Sequence, residues 1–194
     1  MSNIRAIYAQ VCERLAFGVR TEFSYIRLKL SGADKFGKRP MVSGKARFRL
    51  RGAAVFGDRF AVHGLVATVS IKVDHNATLT IGDDVYLNGG VSIAVFHDVR
   101  IGSHVFMAPY SSIIDDDRHQ LEPSTPLHKG PTIVGDNVWV GRNVVILPGV
   151  TIGCGSAVGA NSVVTRDIPP NSFAVGSPAR VIRKLEIPDG WVRH

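Results

Sequence analysis

The sequence predicts an all-β protein built as a parallel β-helix, and three observations lead to this fold class. A valine or isoleucine recurs every six residues between positions 134 and 164. Four of these residues are followed directly by glycine, and small residues stand four places after most of them. A period of six fits neither a helix nor a hairpin strand. Three hexapeptides would instead form one triangular coil of about 18 residues, and such coils stack through parallel strands.

The repeat also predicts which side chains point into this prism. The inward aliphatic residues are Val134, Val140, Ile146, Ile152, Val158 and Val164. The small residues beside them are Val138, Val144, Val150, Ser156 and Ser162. Glycine and asparagine near the corners suit turns with left-handed backbone. A valine-rich sandwich is the alternative fold, but it would have to produce six in-register repeats by chance.

Around this repeat the chain divides into three predicted regions. Residues 1–41 form an N-terminal helical and basic extension, in which residues 4–16 have the apolar spacing of a short amphipathic helix. Residues 23–30 turn toward the alternation of a strand. Residues 42–176 form the β-helix domain, whose earlier repeats are less regular, and residues 177–194 form a C-terminal tail.

Residues 115–132 break the repeat completely and are predicted to form a polar inserted loop. Repeat proteins place their insertions on a binding face, so we expect this loop to be functional. His119 follows three consecutive aspartates in it and is a candidate general base, because an imidazole of near-neutral pKa can take a proton from a hydroxyl. His128, in the same loop, is the second candidate. A solvated loop histidine is the alternative interpretation of either residue.

Two further side chains are candidates for binding. Trp139 falls at a position of its hexapeptide that points outward, so it needs cover from a neighbouring subunit, the inserted loop or the apolar part of a ligand. Asn88 lies in the segment VYLNGG, where asparagine is typical of a turn. It would bind a ligand only if its neighbours in the fold form a binding site.

The composition of the chain indicates its cellular location and the roles open to its cysteines. No apolar run approaches the length of a membrane span, and the first residues lack the uninterrupted apolar segment of a secretory signal, so we expect a cytoplasmic protein. Cys12 and Cys154 are isolated and far apart, which favours reduced thiols over a disulfide or a zinc site. We expect neither cysteine to be catalytic, and we expect no metal.

The positive charge is concentrated at one end of the sequence. The chain carries a formal net charge of +7, with 13 Lys and Arg against 4 Asp and Glu in residues 1–60. A basic end can meet a membrane surface, a lipid-linked or acidic glycan, or a phosphorylated cofactor, although a solvated face explains it equally well. Nucleic acid is not an expected partner, because the basic residues are not interleaved with stacking aromatics.

The segments WVG, ILPGVTIG, VGANSVVTRDIPP and GSPARVI follow one another in order between residues 134 and 183. Together with the His119 loop and Asn88, they resemble the hexapeptide-repeat, left-handed β-helix acyltransferases. The resemblance spans roughly residues 70–185. It is strongest to the maltose and galactoside O-acetyltransferases and to the acetyltransferases that modify capsular and lipopolysaccharide sugars. It implies a homotrimer that binds acetyl-CoA in a cleft between adjacent prisms.

The same resemblance assigns roles to individual residues. It implies that His119 is the base, that Asn88 contacts the acceptor, and that Trp139 lines the acyl end of the cofactor site. The other cofactor positions implied are the backbone of Gly141 and Arg142, together with Ala160, Thr165, Arg166, Arg180 and Arg183. Three features depart from the family pattern. Arg142 stands where these enzymes often have a small residue, the loop differs in length, and residues 1–60 do not follow the maltose-type start.

The predicted reaction is therefore direct acetyl transfer from acetyl-CoA to a hydroxyl of a sugar or polysaccharide, with an amino sugar as the alternative acceptor. A γ-type carbonic anhydrase needs three histidines around zinc, and no pair of histidines here has the spacing of that family. A non-catalytic β-helix scaffold is the third hypothesis, and the loop histidine and Trp139 disfavour it.

Overall fold

The computed structural model describes residues 23–120 and 122–193, so the predicted helix at residues 4–16 and Cys12 lie outside the described residues. Within them, a helix occupies residues 23–30. The strands that follow are β1 Lys35–Phe36, β2 Met41–Leu50, β3 Ala53–Phe56, β4 Ala61–Val73, β5 Thr78–Ile81, β6 Tyr86–Asn88, β7 Ser92–Val95, β8 Asp98–Ile101, β9 Phe106–Met107, β10 Ser112–Ile114, β11 Thr132–Val134, β12 Trp139–Val140, β13 Val145–Ile146, β14 Thr151–Ile152, β15 Ala157–Val158, β16 Val163–Val164, β17 Ser172–Gly176 and β18 Ala179–Lys184.

These strands form a three-sided prism of about six turns, which confirms the predicted β-helix. Face A is the parallel sheet β1-β3-β5-β8-β11-β14. Face B contains β6, β9, β12, β15 and β17, and face C contains β7, β10, β13 and β16. The long strands β2 and β4 turn a corner and belong to both B and C. Each coil runs from A to B to C, so we call the edges corner AB, corner BC and corner CA.

The hexapeptide period sets the core. All six predicted inward aliphatic residues are at most 1% exposed. Each such side chain contributes about 1.5–3 kcal/mol when it leaves water. The smaller companions are buried as well, and the hydroxyl of Ser162 donates to the carbonyl of Gly159 at 2.7 Å. The hydroxyl of Ser156 likewise donates to the carbonyl of Pro169 at 2.8 Å, so both of these core serines have a partner, as buried hydroxyls require.

The helix at residues 23–30 covers the first end of the prism. Leu28 is fully buried, and Ser24, one turn earlier, is 2% exposed. The guanidinium of Arg27 donates to the carbonyls of Gly44 at 3.2 Å and Ala46 at 2.6 Å. The predicted strand-like alternation of this segment is wrong, because the buried positions are four residues apart and fit a helix face.

At the other end, β17 and β18 form an antiparallel hairpin. The chain then returns along corner AB, where the side-chain amide of Asn137 donates to the carbonyl of Trp191 at 2.9 Å. The division into extension, β-helix and tail stays a prediction, although strand pairing already begins at Lys35, which is in register with Val55. No helix in the described part of the chain is long and apolar enough to cross a membrane.

Candidate functional site

The inserted loop leaves the prism at corner CA, between β10 on face C and β11 on face A. Its first residue, Asp115, is completely buried. Its carboxylate accepts the backbone N–H groups of Phe96 at 2.7 Å, His97 at 2.8 Å and Asp98 at 2.8 Å, all in the preceding coil. A buried carboxylate is stable when several donors satisfy it. Asp115 therefore fixes the start of the loop to the prism.

Asp116 makes the second attachment. Its Oδ2 lies 2.7 Å from Nε2 of His97, and its Oδ1 accepts the backbone N–H of Arg118 at 2.7 Å. Burial would raise the pKa of this carboxyl, but the hydrogen bonds from His97 and Arg118 outweigh it and hold the pKa below its ordinary value. The guanidinium carbon of Arg118 also lies 4.4 Å from the ring centroid of Phe96. Together these contacts hold the loop against the corner.

His119 follows these attachments and is exposed to solvent. The third aspartate, Asp117, is exposed as well, and its carboxylate stands 4.0 Å from Nδ1 of His128. The backbone N–H of Asp117 donates to the carbonyl of His128 at 3.1 Å, so the two sides of the loop pair with each other. The aspartates thus build the loop that presents His119, while their carboxylates are engaged with other groups.

Asn88 lies at a different edge of the prism. It ends β6 on face B, and its Oδ1 accepts the N–H of Gly89 at 2.9 Å at the start of corner BC. Later coils place Gly141, Arg142 and Ala160 at the same corner. A Cβ on Gly141 would lie 2.6 Å from the carbonyl oxygen of Val158, so only glycine fits this close approach between coils.

Trp139 lies on face B beside this corner. It is 38% exposed and alternates with the buried Val140, as the outward position predicted. It is in register with Phe106 of β9, whose ring stacks on Tyr86 with centroids 4.7 Å apart and planes 6° apart. Trp139 therefore continues a column of outward aromatic side chains along face B.

The predicted site residues fall into two groups on one chain. Asn88, Gly141, Arg142 and Ala160 lie at corner BC with Trp139 beside them, while His119, Thr165 and Arg166 lie at corner CA. Face C separates the corners, and a four-residue strand such as its β7 spans about 13 Å. Arg180 and Arg183 are exposed on β18 at the last coils. A single chain does not bring His119 and Asn88 together.

Two residues at these corners were not predicted from the sequence. His97 holds Asp116, and nothing in its local sequence reveals a partner 19 positions away. Tyr110 occupies a left-handed turn at corner BC with φ of 62°. The equivalent turns carry Gly90, Asn143 and Asn161, so an alignment of the repeats could have identified Tyr110 as exceptional.

Histidine, cysteine and acidic side chains are the common protein ligands of metal ions. Within residues 23–120 and 122–193, no three His, Cys, Asp or Glu side chains come together as a metal site would require. Cys154 is exposed and unpaired with any cysteine of that part of the chain.

A prism of hexapeptide repeats with a polar loop at one corner defines the class of hexapeptide transferases. The model of the bacterial transferase hexapeptide family, with six repeats, matches residues 131–166. The galactoside O-acetyltransferase of Escherichia coli K12 is 39% identical over 133 residues, which are 66% of this chain and 66% of that protein. The chain thus spans about two thirds of the length of this relative.

Solved structures agree with this assignment. A hexapeptide-repeat acetyltransferase from Vibrio cholerae, in complex with acetyl coenzyme A, has a TM-score of 0.60 and 26% identity over 95% of this chain and 90% of its own. A galactoside acetyltransferase in complex with coenzyme A has a TM-score of 0.53 and 29% identity over 82% of this chain and 72% of its own. The chain belongs to the hexapeptide-repeat acyltransferase family, and its prism is the left-handed β-helix of that family.

Proposed function

We propose that this protein transfers an acetyl group from acetyl-CoA to a hydroxyl of a sugar or polysaccharide. The observation that carries the proposal is the exposed His119 on a loop that Asp115 and Asp116 anchor to a hexapeptide prism. A general base must be positioned and accessible, and this loop supplies both properties. Similarity to relatives that bind coenzyme A supports the identity of the donor.

The reaction needs one base and no covalent enzyme intermediate. His119 takes the proton of the acceptor hydroxyl while its oxygen attacks the carbonyl carbon of the thioester. The new C–O bond forms and the C–S bond breaks, and the departing thiolate takes up the proton that His119 holds. The products are the acetyl ester and coenzyme A with a free thiol. An amino sugar would react in the same way through its neutral nitrogen.

A backbone N–H at corner BC is the proposed donor to the oxyanion. The N–H of Gly141 donates to the carbonyl of Val158 at 2.8 Å and is therefore already engaged. The next N–H, that of Arg142, has no backbone acceptor among the described residues. We assign the oxyanion contact to Arg142, and such a donor is typically worth about 3 kcal/mol to the transition state.

The two groups of site residues are separated on one chain, and this separation is our reason for proposing an oligomer. His119 at corner CA and Asn88 at corner BC can share one site only if the two corners belong to different chains. Three prisms around a three-fold axis would place corner BC of each chain opposite corner CA of its neighbour and would cover Trp139. We infer a homotrimer with one site at each interface.

Light scattering under native conditions tests this assembly. We expect a mass of three times the 21.0 kDa of the chain. The outward aromatic column on face B would be buried in such an assembly, and this gives the trimer its apolar contact. A monomeric mass would contradict the shared site.

Arg180 and Arg183 are the proposed contacts for the phosphates of the cofactor. Both are exposed on β18, and guanidinium groups bind phosphate through paired hydrogen bonds. We expect the Arg180→Ala, Arg183→Ala double variant to raise the KM for acetyl-CoA about tenfold or more while kcat changes little. An unchanged KM would show that both side chains are only solvated.

Thiol release from acetyl-CoA in the presence of a panel of sugars tests the function itself. We expect release that depends on the sugar, with one acetyl ester formed for each thiol. Lability of the product to hydroxylamine distinguishes an ester from the amide that an amino sugar would give. If no sugar stimulates release, the protein is not a sugar acetyltransferase.

A further inference from the structure

At corner BC the ring of Tyr110 lies between Gly90 of the preceding coil and Arg142 of the following coil. The proposed mechanism uses neither the ring of Tyr110 nor the side chain of Arg142. Tyr110 is in the left-handed region with φ of 62°, where its equivalents in neighbouring coils are Gly90, Asn143 and Asn161. Glycine and asparagine tolerate this conformation, whereas a bulky side chain costs about 1 kcal/mol or more there. The fold thus keeps a tyrosine at a position where it is unfavourable for the backbone.

The ring of Tyr110 lies over Gly90 in the preceding coil. A Cβ on Gly90 would come within 2.5 Å of Cδ1 of Tyr110, so the missing side chain of Gly90 makes room for the ring. In the following coil, the guanidinium carbon of Arg142 lies 5.2 Å from the centroid of the same ring. The ring therefore connects the coil of Asn88 to the coil of Arg142.

Arg142 carries its positive charge at the surface of corner BC. Its side chain is exposed, and no ion pair joins it to an acidic residue of the described chain. In contrast, Arg59 lies 2.6 Å from Asp84 and Arg100 lies 2.6 Å from Asp98. Contact with an aromatic face leaves the N–H groups of a guanidinium free to donate. Arg142 is thus held in place with its charge available to a ligand.

We propose that Arg142, positioned by Tyr110, binds an oxyanion of the acceptor, so that the substrate class is an acidic sugar bearing a carboxylate or a phosphate. This inference rests on the proposed acetyltransferase function. A guanidinium suits both groups, because each presents a pair of oxygens to its planar fork of N–H donors.

The position along the corner favours the acceptor over the cofactor as the source of this anion. Coils stack about 4.8 Å apart. The backbone of Arg142 is two coils beyond that of Asn88, so the two residues lie about 10 Å apart along the corner, with Tyr110 in the coil between them. Contact with Tyr110 directs the side chain of Arg142 back toward the coil of Asn88. The phosphates of the cofactor have their own proposed contacts in Arg180 and Arg183, on the hairpin beyond the last coils.

Matched acceptors test the proposal. We would measure kcat/KM for methyl glucuronide, methyl glucoside 6-phosphate and methyl glucoside with the wild-type protein. We expect at least one acidic probe to exceed methyl glucoside by about tenfold or more, as a charge-assisted hydrogen bond supplies. The carboxylate and phosphate probes show which oxyanion the site takes. Arg142→Gln should remove the preference and leave the KM for acetyl-CoA unchanged.

Two further variants separate positioning from folding. Tyr110→Asn suits the left-handed turn, so it should fold, and we expect it to lower the preference for the acidic probe about threefold. Arg51→Gln removes an exposed arginine from the first coil and should change nothing.

Three outcomes would overturn the inference. Equal use of methyl glucoside and both acidic probes would show that no oxyanion is recognised, while the proposed function would still stand. A rise in the KM for acetyl-CoA in Arg142→Gln, with the acceptor preference intact, would assign the side chain to the cofactor. Absence of thiol release with every neutral and acidic sugar would remove the proposed function and this inference together.

Discussion

Replacing His119 by alanine should lower kcat by at least about 100-fold, because general-base assistance is typically worth ~10² to 10⁴ in rate. The side chain is exposed, and the attachments of the loop are made by Asp115 and Asp116. The fold, the native mass and the affinity for coenzyme A should therefore be preserved. Steady-state kinetics with the best acceptor, together with a titration of coenzyme A, measure this separation of chemistry from binding.

His128→Ala is the matched control for this experiment. His128 lies in the same loop, its side chain is 59% exposed, and its Nδ1 is 4.0 Å from the carboxylate of Asp117. We expect His128→Ala to retain activity within a few-fold of wild type. If His128→Ala abolishes turnover and His119→Ala does not, the base has been assigned to the wrong histidine.

The core of this protein could be predicted from the sequence because a valine or isoleucine occurs at every sixth position from 134 to 164. Val134 and the five aliphatic residues that follow at this spacing are all buried, as the pattern required. The inserted loop could be predicted for the same reason, since a regular repeat also shows where it is interrupted. The helix at residues 23–30 could not be predicted in this way, because a segment of eight residues contains too few turns to show the helical period of its apolar side chains.

The contacts around the site could not be predicted, because they join residues of neighbouring coils. Asp115 accepts N–H groups up to 19 positions earlier in the chain, and its neighbour Asp116 pairs with His97. Three adjacent aspartates therefore have three different surroundings, although the sequence presents them as equivalent. The placement of Asn88 and His119 at separate corners likewise depends on which face each strand occupies.

Mixed trimers provide the most direct test of that placement. We expect His119→Ala and Asn88→Ala homotrimers to be strongly impaired, the second by about 10- to 100-fold through loss of a contact to the acceptor. Co-expression of the two variants in equal amounts should restore activity. If each site takes His119 from one chain and Asn88 from the next, about a quarter of the sites in randomly mixed trimers contain both native residues.

The double variant, with both substitutions on one chain, is the control. Mixed with wild type in equal amounts, it should also leave about a quarter of the sites intact, because a shared site needs two adjacent native chains. A site contained within one chain would behave differently in both mixtures. The two single variants would then gain nothing from mixing, and wild type mixed with the double variant would keep about half of its sites. The pair of measurements therefore decides whether corner BC and corner CA meet across the subunit interface.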